Sequence, residues 1–377
     1  MIIGVLKENS PEKRVAILPE SISMLTDLKT NILVESLAGE QAFASDQQYK
    51  EAGAEIVSRE NIVKKADLFL MVNGPSVDEI KLFSKEKMII GTLNPLSNHD
   101  MVKSLQSVGL TSFSLDAVPR ITRAQAMDVL SSMATVAGYR AILEAAFHLP
   151  TFFPMFMSAA GTIRPAKVLV LGAGVAGLQA IATARKLGSV VEAFDVRSAV
   201  KEEVQSLGAK FVEVEGARED KAAGGYAVEQ TEEFKQKQSQ LIQDHALKSN
   251  VIICTAQIPG RKAPLLVKKE TVENMKPGSV IIDLAASTGG NCELTQNDKT
   301  VHEFGVTIIG NSNYPSGMPV DASRMYGKNL VNFLKLLIDP EGNLNLNFED
   351  EIIKGACITH NGEIINERVK SSITINK

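Results

Sequence analysis

KVLVLGAGVAGLQAIATARKLGSVVEAFDVR, residues Lys167–Arg197, is the most informative segment of the chain. It opens with an apolar strand, Lys167–Leu171, which runs directly into a glycine-rich segment at positions 172–177. A helical run over Val175–Leu187 and a second apolar strand, Val190–Phe194, follow. Strand, glycine loop, helix and strand in this order predict a βαβ unit of a parallel sheet, the arrangement that binds dinucleotides.

Each glycine of the loop has a separate task in such a unit. Gly172 permits the tight turn, Gly174 lets the backbone approach a pyrophosphate, and Gly177 allows helix and strand to pack closely. The helix start, with Val175 and Ala176, offers N–H groups and the positive end of the helix dipole to phosphates. The alternative is an ordinary glycine-rich turn, and the register of the flanking strands favours dinucleotide binding over it.

Asp195 ends the second strand, where a carboxylate can accept hydrogen bonds from a ribose diol. It would repel a 2′-phosphate, so the sequence favours NAD(H) over NADP(H) at this site. Val196 and Arg197 complete the segment, and the positive charge of Arg197 weakens that preference.

Composition excludes several other classes of protein. The chain has 377 residues, which is long enough for two domains. Its net charge of −4 suggests no nucleic-acid partner. The three cysteines lack a CxxC spacing and the five histidines lack a metal-ligand spacing, so we expect a reducing compartment and no metal. We see no signal peptide and no apolar run of the roughly 20 residues that span a bilayer, and we expect a cytoplasmic chain.

The order of elements predicts an α/β protein with two Rossmann-like domains, each built on a parallel sheet. The first half alternates strands and helices without a glycine fingerprint. Two long helices, Ala124–Phe147 and Asp321–Leu337, are expected to join the domains, with a cleft between them, and a short strand is expected over Ile352–Thr359. We place the first domain at residues 1–125 and 335–377, and the nucleotide domain at 126–334.

A second informative stretch lies at the start of the first long helix, PRITRAQAMD at positions 119–128. Gln125, Asp128 and Ser131 are three residues apart and share one face of a helix, with Arg120 just before them. One interpretation is a solvated helix start with ordinary capping. The functional alternative is a polar cluster that faces the cleft.

Two further segments are candidates for the nucleotide site. The long charged stretch Glu215–Gln240 contains Gly225 and Tyr226, and it is either a lid or a disordered surface excursion. Ala256 and Gln257 follow a predicted strand, at the sheet edge where ligands bind in such folds.

Five segments together resemble the NAD(H)-binding domain of proton-translocating NAD(P) transhydrogenases, a family related to alanine dehydrogenase. The segments are the βαβ unit, PRITRAQAMDVLSSMATVAGYRA, TAQIPGRKAP, MKPGSVIIDLAASTGGNCE and YGKNLVNFLKLL. The resemblance covers nearly the whole chain. It implies the soluble polypeptide of a split alpha subunit, in a three-polypeptide bacterial enzyme that is Re/Si-specific.

The resemblance also implies roles for individual residues. Arg120, Gln125, Asp128 and Ser131 would hold the nicotinamide and face the cofactor of a partner. Asp195 would bind the adenosine ribose, and the loop with Gly225 and Tyr226 would close on the bound nucleotide. Ala256 and Gln257 would line the nucleotide cleft, although Gln257 departs from the more usual apolar residue.

The partners follow from the same resemblance. Hydride would pass between NADH on this chain and NADP⁺ on an NADP(H)-binding beta subunit, coupled to proton translocation through a membrane subunit. The chain would form a homodimer through its nucleotide domain and lie at the cytoplasmic side of the inner membrane, held there by its partners.

Two alternatives stay open. An alanine dehydrogenase would need a substrate arginine, matched by Arg14, and a lysine, a histidine and an aspartate that would fall near Asn73, Asn94 and Ser287. Those last three groups are absent, which leaves amino-acid oxidation without a proton acceptor. The other alternative is a non-catalytic NAD-binding module, which would bind NADH and transfer nothing.

Overall fold

The computed structural model describes residues 1–213, 232–258 and 260–375. The chain divides into two compact units, of which unit 1 comprises Met1–Met133 with Pro315–Lys377 and unit 2 comprises Ala134–Tyr314. Each unit is built on its own, mostly parallel sheet. The predicted α/β class with two Rossmann-like sheets is therefore confirmed.

Eight strands form the sheet of unit 1. Their bounds are β1 Ile2–Val5, β2 Asn31–Glu35, β3 Glu55–Val57, β4 Leu68–Asn73, β5 Met88–Thr92, β6 Thr111–Ser114, β16 Cys357–His360 and β17 Glu363–Ile364. Their order in the sheet is β17-β16-β6-β5-β4-β1-β2-β3. The pairs from β6 to β3 are parallel, whereas β16 and β17 pair antiparallel at one edge.

The helices of unit 1 cover this sheet. They are α1 Ile22–Thr26, α2 Asp46–Glu51, α3 Arg59–Lys65, α4 Val77–Ile80, α5 His99–Val108, α11 Pro319–Leu337, α12 Glu351–Ala356 and α13 Glu367–Ile375. The longest of them, α11, buries Tyr326, Leu330 and Phe333 completely in the core of unit 1. The Phe333 ring meets Phe113 of β6 at 5.6 Å between centroids.

Among the described residues of unit 2, seven strands form its large sheet. The bounds are β9 Lys167–Leu171, β10 Val190–Phe194, β11 Lys210–Val212, β12 Val251–Cys254, β13 Val280–Asp283, β14 Thr300–Glu303 and β15 Val306–Ile309. Their order is β11-β10-β9-β12-β13-β15-β14, and all pairs are parallel except β14 with β15. The strand order reverses between β9 and β12, and such switch points bind ligands at the carboxyl ends of the strands.

Helices α7 Val175–Lys186, α8 Lys201–Ser206, α9 Glu232–Ala246 and α10 Lys269–Glu273 belong to unit 2. Helix α6, Val129–His148, runs from unit 1 into unit 2. A separate two-stranded hairpin, β7 Phe156–Ser158 and β8 Gly161–Ile163, pairs with neither large sheet among the described residues.

Three expectations about elements are wrong. The first long helix begins at Val129 and not at Ala124, because Thr122–Met127 forms a 3₁₀ turn. The end of the predicted loop Glu215–Gln240 is helical from Glu232 onward. The tail segment Ile352–Thr359, predicted as a strand throughout, begins within α12 and is a strand only from Cys357 onward, in β16.

The boundaries between the units also differ from the predicted domains. The units change at 133/134 and 314/315, whereas the sequence suggested 125/126 and 334/335. The second difference has a clear cause: α11 packs along its length into the core of unit 1, so it does not divide between the two units.

Candidate dinucleotide-binding site

The glycine loop of unit 2 has the geometry that the sequence predicts. Gly172 adopts φ +102°, and a Cβ there would lie 2.6 Å from the Thr255 hydroxyl oxygen. A Cβ on Gly177 would lie 1.9 Å from the Gly172 carbonyl oxygen. Both positions therefore need glycine for the loop and α7 to keep their packing against each other and against Thr255, the residue after β12.

Gly174 differs from its two neighbours. A Cβ there would meet no atom within 4 Å, and Gly174 caps α7 without a side-chain hydrogen bond. The absence of a side chain therefore serves no contact within the described part of the protein. It leaves the helix N-terminus and the half-exposed Val175 open to an approaching group, which fits a pyrophosphate.

Helix α6 packs in close contact with the start of α7. A Cβ on Gly138 would lie 2.1 Å from the Ala176 carbonyl oxygen. Gly138 therefore allows the close contact that holds the first turn of α7 in place. Gly138 is not among the predicted site residues. The sequence hints at its role only because glycine is unfavourable in the middle of a long helix.

Asp195 follows the end of β10 and bonds to the glycine loop. Its Oδ2 accepts hydrogen bonds from the Ala173 N–H at 2.7 Å and from Arg197 Nη2 at 2.8 Å. Its Oδ1 accepts hydrogen bonds from the Arg197 N–H and Nε, both at 2.9 Å. The carboxylate thus ties the end of β10 to the turn after β9, and Arg197 pairs with it.

Ala256 and Gln257 follow β12 at the same edge of the sheet. The Asn291 side chain holds this loop, because it accepts a hydrogen bond from the Ala256 N–H at 3.0 Å and donates one to the Ala256 carbonyl at 2.9 Å. Gln257 is exposed, and its side chain donates to the Leu284 carbonyl at 2.8 Å.

Asn291 is itself held by Asp283 at the end of β13. The completely buried Asp283 carboxylate accepts hydrogen bonds from the Asn291 and Cys292 N–H groups and from the Thr295 hydroxyl. Neither Asn291 nor Asp283 was predicted as a site residue, although a carboxylate at the end of an apolar strand was a usable signal. Together they fix the position of the loop at 255–258.

The polar stretch of unit 1 is organised differently from the prediction. Asp128 is the residue before α6, and its side chain accepts hydrogen bonds from the Ser131 N–H at 2.9 Å and the Ser131 hydroxyl at 2.6 Å. This is the geometry of a helix N-cap. Gln125 lies in the preceding 3₁₀ turn and Ser131 lies in α6, so the expectation that Gln125, Asp128 and Ser131 belong to one continuous helix is wrong.

Several side chains anchor this turn. Arg123 forms a two-bond ion pair with Asp350, both contacts at 2.7 Å. Asn329 and Asn332 of α11 donate to the Ala126 carbonyl at 2.8 and 3.1 Å. The turn is thus fixed from α11 and α12, and it presents Arg120 and Gln125 at the surface of unit 1.

Arg14, the residue that matches a dehydrogenase substrate arginine, is closed off by a buried ion pair. Its Nε and Nη2 donate to the Glu12 carboxylate at 2.9 and 2.7 Å. Asn73 donates to the same carboxylate at 3.1 Å. Although burial opposes ionisation, the contacts with Arg14 lower the pKa of Glu12 to about 2, so the pair stays charged.

The remaining predictions concern the lid, metals and the membrane. Gly225 and Tyr226 lie outside the described residues. Within residues 1–213, 232–258 and 260–375, no group of three or more His, Cys, Asp or Glu side chains could hold a metal ion. Over the same ranges, the structure contains no helix with the length and apolarity that crossing a membrane requires.

Two family models match this chain. "Alanine dehydrogenase/PNT, N-terminal domain" covers residues 4–137, and "Alanine dehydrogenase/PNT, C-terminal domain" covers residues 141–367. A crystal structure of transhydrogenase from Sinorhizobium meliloti superposes with a TM-score of 0.89 at 43% identity, covering 97% of this chain and all of that one.

Two curated relatives differ in how similar they are to this chain. An NAD(P) transhydrogenase subunit alpha polypeptide of Rhodospirillum rubrum is 44% identical, over 97% of this chain and 98% of its own length. The alanine dehydrogenase of Mycolicibacterium smegmatis is 27% identical, over 100% of this chain and 97% of its own length. The chain is therefore much more similar to the first protein than to the second.

Proposed function

The chain belongs to the alanine dehydrogenase/PNT family, and from that membership we propose that it binds NAD(H) at the glycine loop of unit 2 and exchanges hydride with NADP(H) held by a partner subunit. Its 44% identity over nearly full length to a transhydrogenase alpha-subunit polypeptide supports this proposal. Gly174 carries the structural argument, since its missing side chain leaves room for a group that the chain itself does not supply.

The residues of unit 2 have definite tasks in this proposal. The start of α7 provides N–H groups and a positive dipole end to the pyrophosphate. Asp195 accepts hydrogen bonds from the adenosine ribose, with Val196 and Arg197 beside it. Ala256 and Gln257, positioned by Asn291, line the nucleotide on the side of β12.

In unit 1, Arg120, Gln125, Asp128 and Ser131 orient the nicotinamide ring. Bound NADH supplies a hydride from C4 of that ring to C4 of the second nicotinamide. Because no proton is gained or lost, the protein needs no general acid or base and has only to fix the ring and exclude water. Polar, non-titrating groups such as Gln125 and Ser131 suit that task.

The contacts of unit 1 weigh against alanine oxidation. Asn73 and Asn94 occupy the places where a lysine and a histidine would be expected, and neither can accept a proton. Arg14, the one matching group, donates to Glu12 through two nitrogens and is buried. A substrate carboxylate would have to break that pair, at a cost in free energy.

The partners in this proposal are an NADP(H)-binding beta subunit, a membrane subunit through which protons move, and a second copy of this chain. The chain itself lies in the cytoplasm, peripheral to the inner membrane. The hairpin β7–β8 supports the homodimer, because Phe152, Phe156 and Met157 are exposed on and beside a two-stranded element that is only marginally stable alone.

Light scattering on the purified chain tests the dimer. We expect twice the monomer mass for the parent and the monomer mass for Met157→Asp, because a charge would enter an apolar contact. Gln205→Glu, at an exposed residue of α8 outside the hairpin, controls for added charge. A parent that stays monomeric at micromolar concentration contradicts the dimer.

Two assays on the chain alone test the proposed activity. Titration of NADH, followed by its fluorescence, is expected to give saturable binding, and NADPH is expected to bind more weakly. Incubation with NADH, pyruvate and ammonia is expected to leave NADH unchanged. Sustained oxidation of NADH in that mixture contradicts the proposal and favours alanine dehydrogenase.

A further inference from the structure

Four hydrogen bonds occupy the acceptor sites of the Asp195 carboxylate. A carboxylate offers about four lone-pair sites, two on each oxygen. The Ala173 N–H and Arg197 Nη2 occupy Oδ2, while the Arg197 N–H and Nε occupy Oδ1. A ribose diol can donate to this carboxylate only where one or two of these donors leave.

The four donors differ in their freedom to leave. The Ala173 and Arg197 N–H groups belong to the backbone, and the first of them is part of the turn after β9. The guanidinium is on a flexible side chain that is 28% exposed, whereas the Asp195 side chain is only 6% exposed. Of the four donors, the guanidinium is therefore the one that a ribose diol would displace from the carboxylate.

We propose that Arg197 is a specificity-determining residue, which competes with the adenosine ribose for Asp195 and thereby narrows the preference for NADH over NADPH. This inference rests on the proposed NAD(H) site. Binding of NADH exchanges the two guanidinium hydrogen bonds for two from the ribose hydroxyls, so part of the ribose contribution to affinity is lost.

A 2′-phosphate would meet the same pair with the opposite result. Paired with Arg197, Asp195 repels the phosphate less than a lone carboxylate would. A released guanidinium also suits a phosphate, because its planar fork binds phosphate oxygens through two hydrogen bonds. Arg197 thus weakens NADH binding and strengthens NADPH binding, and both effects reduce discrimination.

Equilibrium titration of NADH and NADPH on Arg197→Met tests the proposal. Removing a partly exposed ion pair such as Asp195–Arg197 is expected to change the affinity for a competing ligand by up to about fivefold. We expect NADH to bind about two- to fivefold more tightly and NADPH to bind more weakly by a similar factor. Arg185→Met, at the far end of α7, serves as a control for loss of an arginine and is expected to bind like the parent.

A double-mutant cycle shows whether Arg197 acts through Asp195. Asp195→Ala alone is expected to weaken NADH binding, because the ribose loses its acceptor. In that background, Arg197→Met is expected to have no further effect on NADH. Circular dichroism and the unfolding temperature confirm that each variant is folded.

Three results would overturn the proposal. Weaker NADH binding by Arg197→Met would mean that the arginine contacts the nucleotide favourably. An equal gain in NADH affinity from Arg197→Met with and without Asp195 would mean that Arg197 does not act through Asp195. Unchanged affinities for both nucleotides would mean that Arg197 does not compete with the ribose. Absence of NADH binding by the parent would instead refute the proposed function, together with this inference, at the first titration.

Discussion

Gln125 is held in place by its neighbours and not by its own side chain. Its turn is tied down by the Arg123–Asp350 ion pair and by the bonds from Asn329 and Asn332 to the Ala126 carbonyl. The Gln125 side chain itself is exposed. A substitution at this residue therefore changes the group that is presented while the backbone of the turn stays fixed.

Shortening Gln125 by one methylene group, in Gln125→Asn, is expected to slow hydride transfer by on the order of tenfold to a hundredfold, since small misplacements of reacting groups are costly. The dissociation constant of NADH should stay within about twofold, because most binding contacts lie with the phosphates and the ribose. Transient kinetics with the partner domain and NADH titration measure the two quantities.

Thr122→Ser, on the same turn, is the matched control and should transfer hydride like the parent. Equal transfer rates for Gln125→Asn and the parent would remove Gln125 from the proposed chemistry.

Asp128 shows how a structural and a functional interpretation can apply to one residue. Its bonds to Ser131 make it the cap of α6, which is the ordinary capping that the sequence left open as an alternative. That cap fixes where α6 begins, and with it the position of the polar turn. The proposed contact of Asp128 with the nicotinamide is a separate property that the cap neither requires nor excludes.

At the scale of elements, the start of α7 contains two glycines that serve different purposes. Gly177 is required by the protein itself, because any side chain would meet the Gly172 carbonyl. Gly174 is required by nothing among the described residues, and its φ of −78° is accessible to alanine. The two positions therefore separate folding from ligand binding.

Alanine at these two glycines is expected to give opposite results. Gly174→Ala should retain the parent's free energy of unfolding and bind NADH about tenfold more weakly, through loss of hydrogen bonds to the phosphates. Gly177→Ala should lower the free energy of unfolding by about 1–3 kcal/mol or more, because the clash must be relieved by moving the loop.

Urea unfolding and NADH titration measure both effects. Normal NADH binding by Gly174→Ala, or a loss of stability as large as that of Gly177→Ala, would contradict the assigned role of Gly174.

Most elements could be located from the sequence because their signals are local. The strand at Lys167–Leu171 and the helix from Val175 follow from apolar periodicity and glycine placement. The start of α6 could not be located in this way, since Ala124–Met127 has helical composition. The cap at Asp128 and the tertiary bonds to Ala126 and Arg123 accompany a 3₁₀ turn there. The contact of Gly138 with Ala176 joins two helices far apart in sequence, which no local pattern reveals.

At the scale of the whole molecule, unit 1 contains a partly buried carboxylate, that of Glu8, which makes its stability depend on pH. Glu8 accepts hydrogen bonds from the Val72 and Asn73 N–H groups at 2.6 and 3.2 Å. Burial, opposed by these bonds, raises the pKa of Glu8 to about 7 from an ordinary value of 4.5. Its folded-state pKa therefore lies above the unfolded value, so this group's contribution to stability is complete below pH 4.5 and is lost as pH rises through about 7.

Glu8→Gln is expected to remove that dependence. The free energy of unfolding of the parent, measured relative to the variant, should fall by about 1–3 kcal/mol between pH 4.5 and pH 8. Urea titrations of both proteins at intervals of pH measure the difference. A difference that is constant with pH, or that grows towards pH 8, would contradict the raised pKa.

The central claim is that this chain donates hydride only to a nicotinamide held by another polypeptide. The most direct test mixes the chain, NADH and a coloured NADP⁺ analogue, with and without a purified transhydrogenase NADP(H)-binding domain, and follows reduction of the analogue by absorbance. Rapid reduction only when both proteins are present is the predicted result. No reduction in the complete mixture, while the chain binds NADH, would contradict the claim.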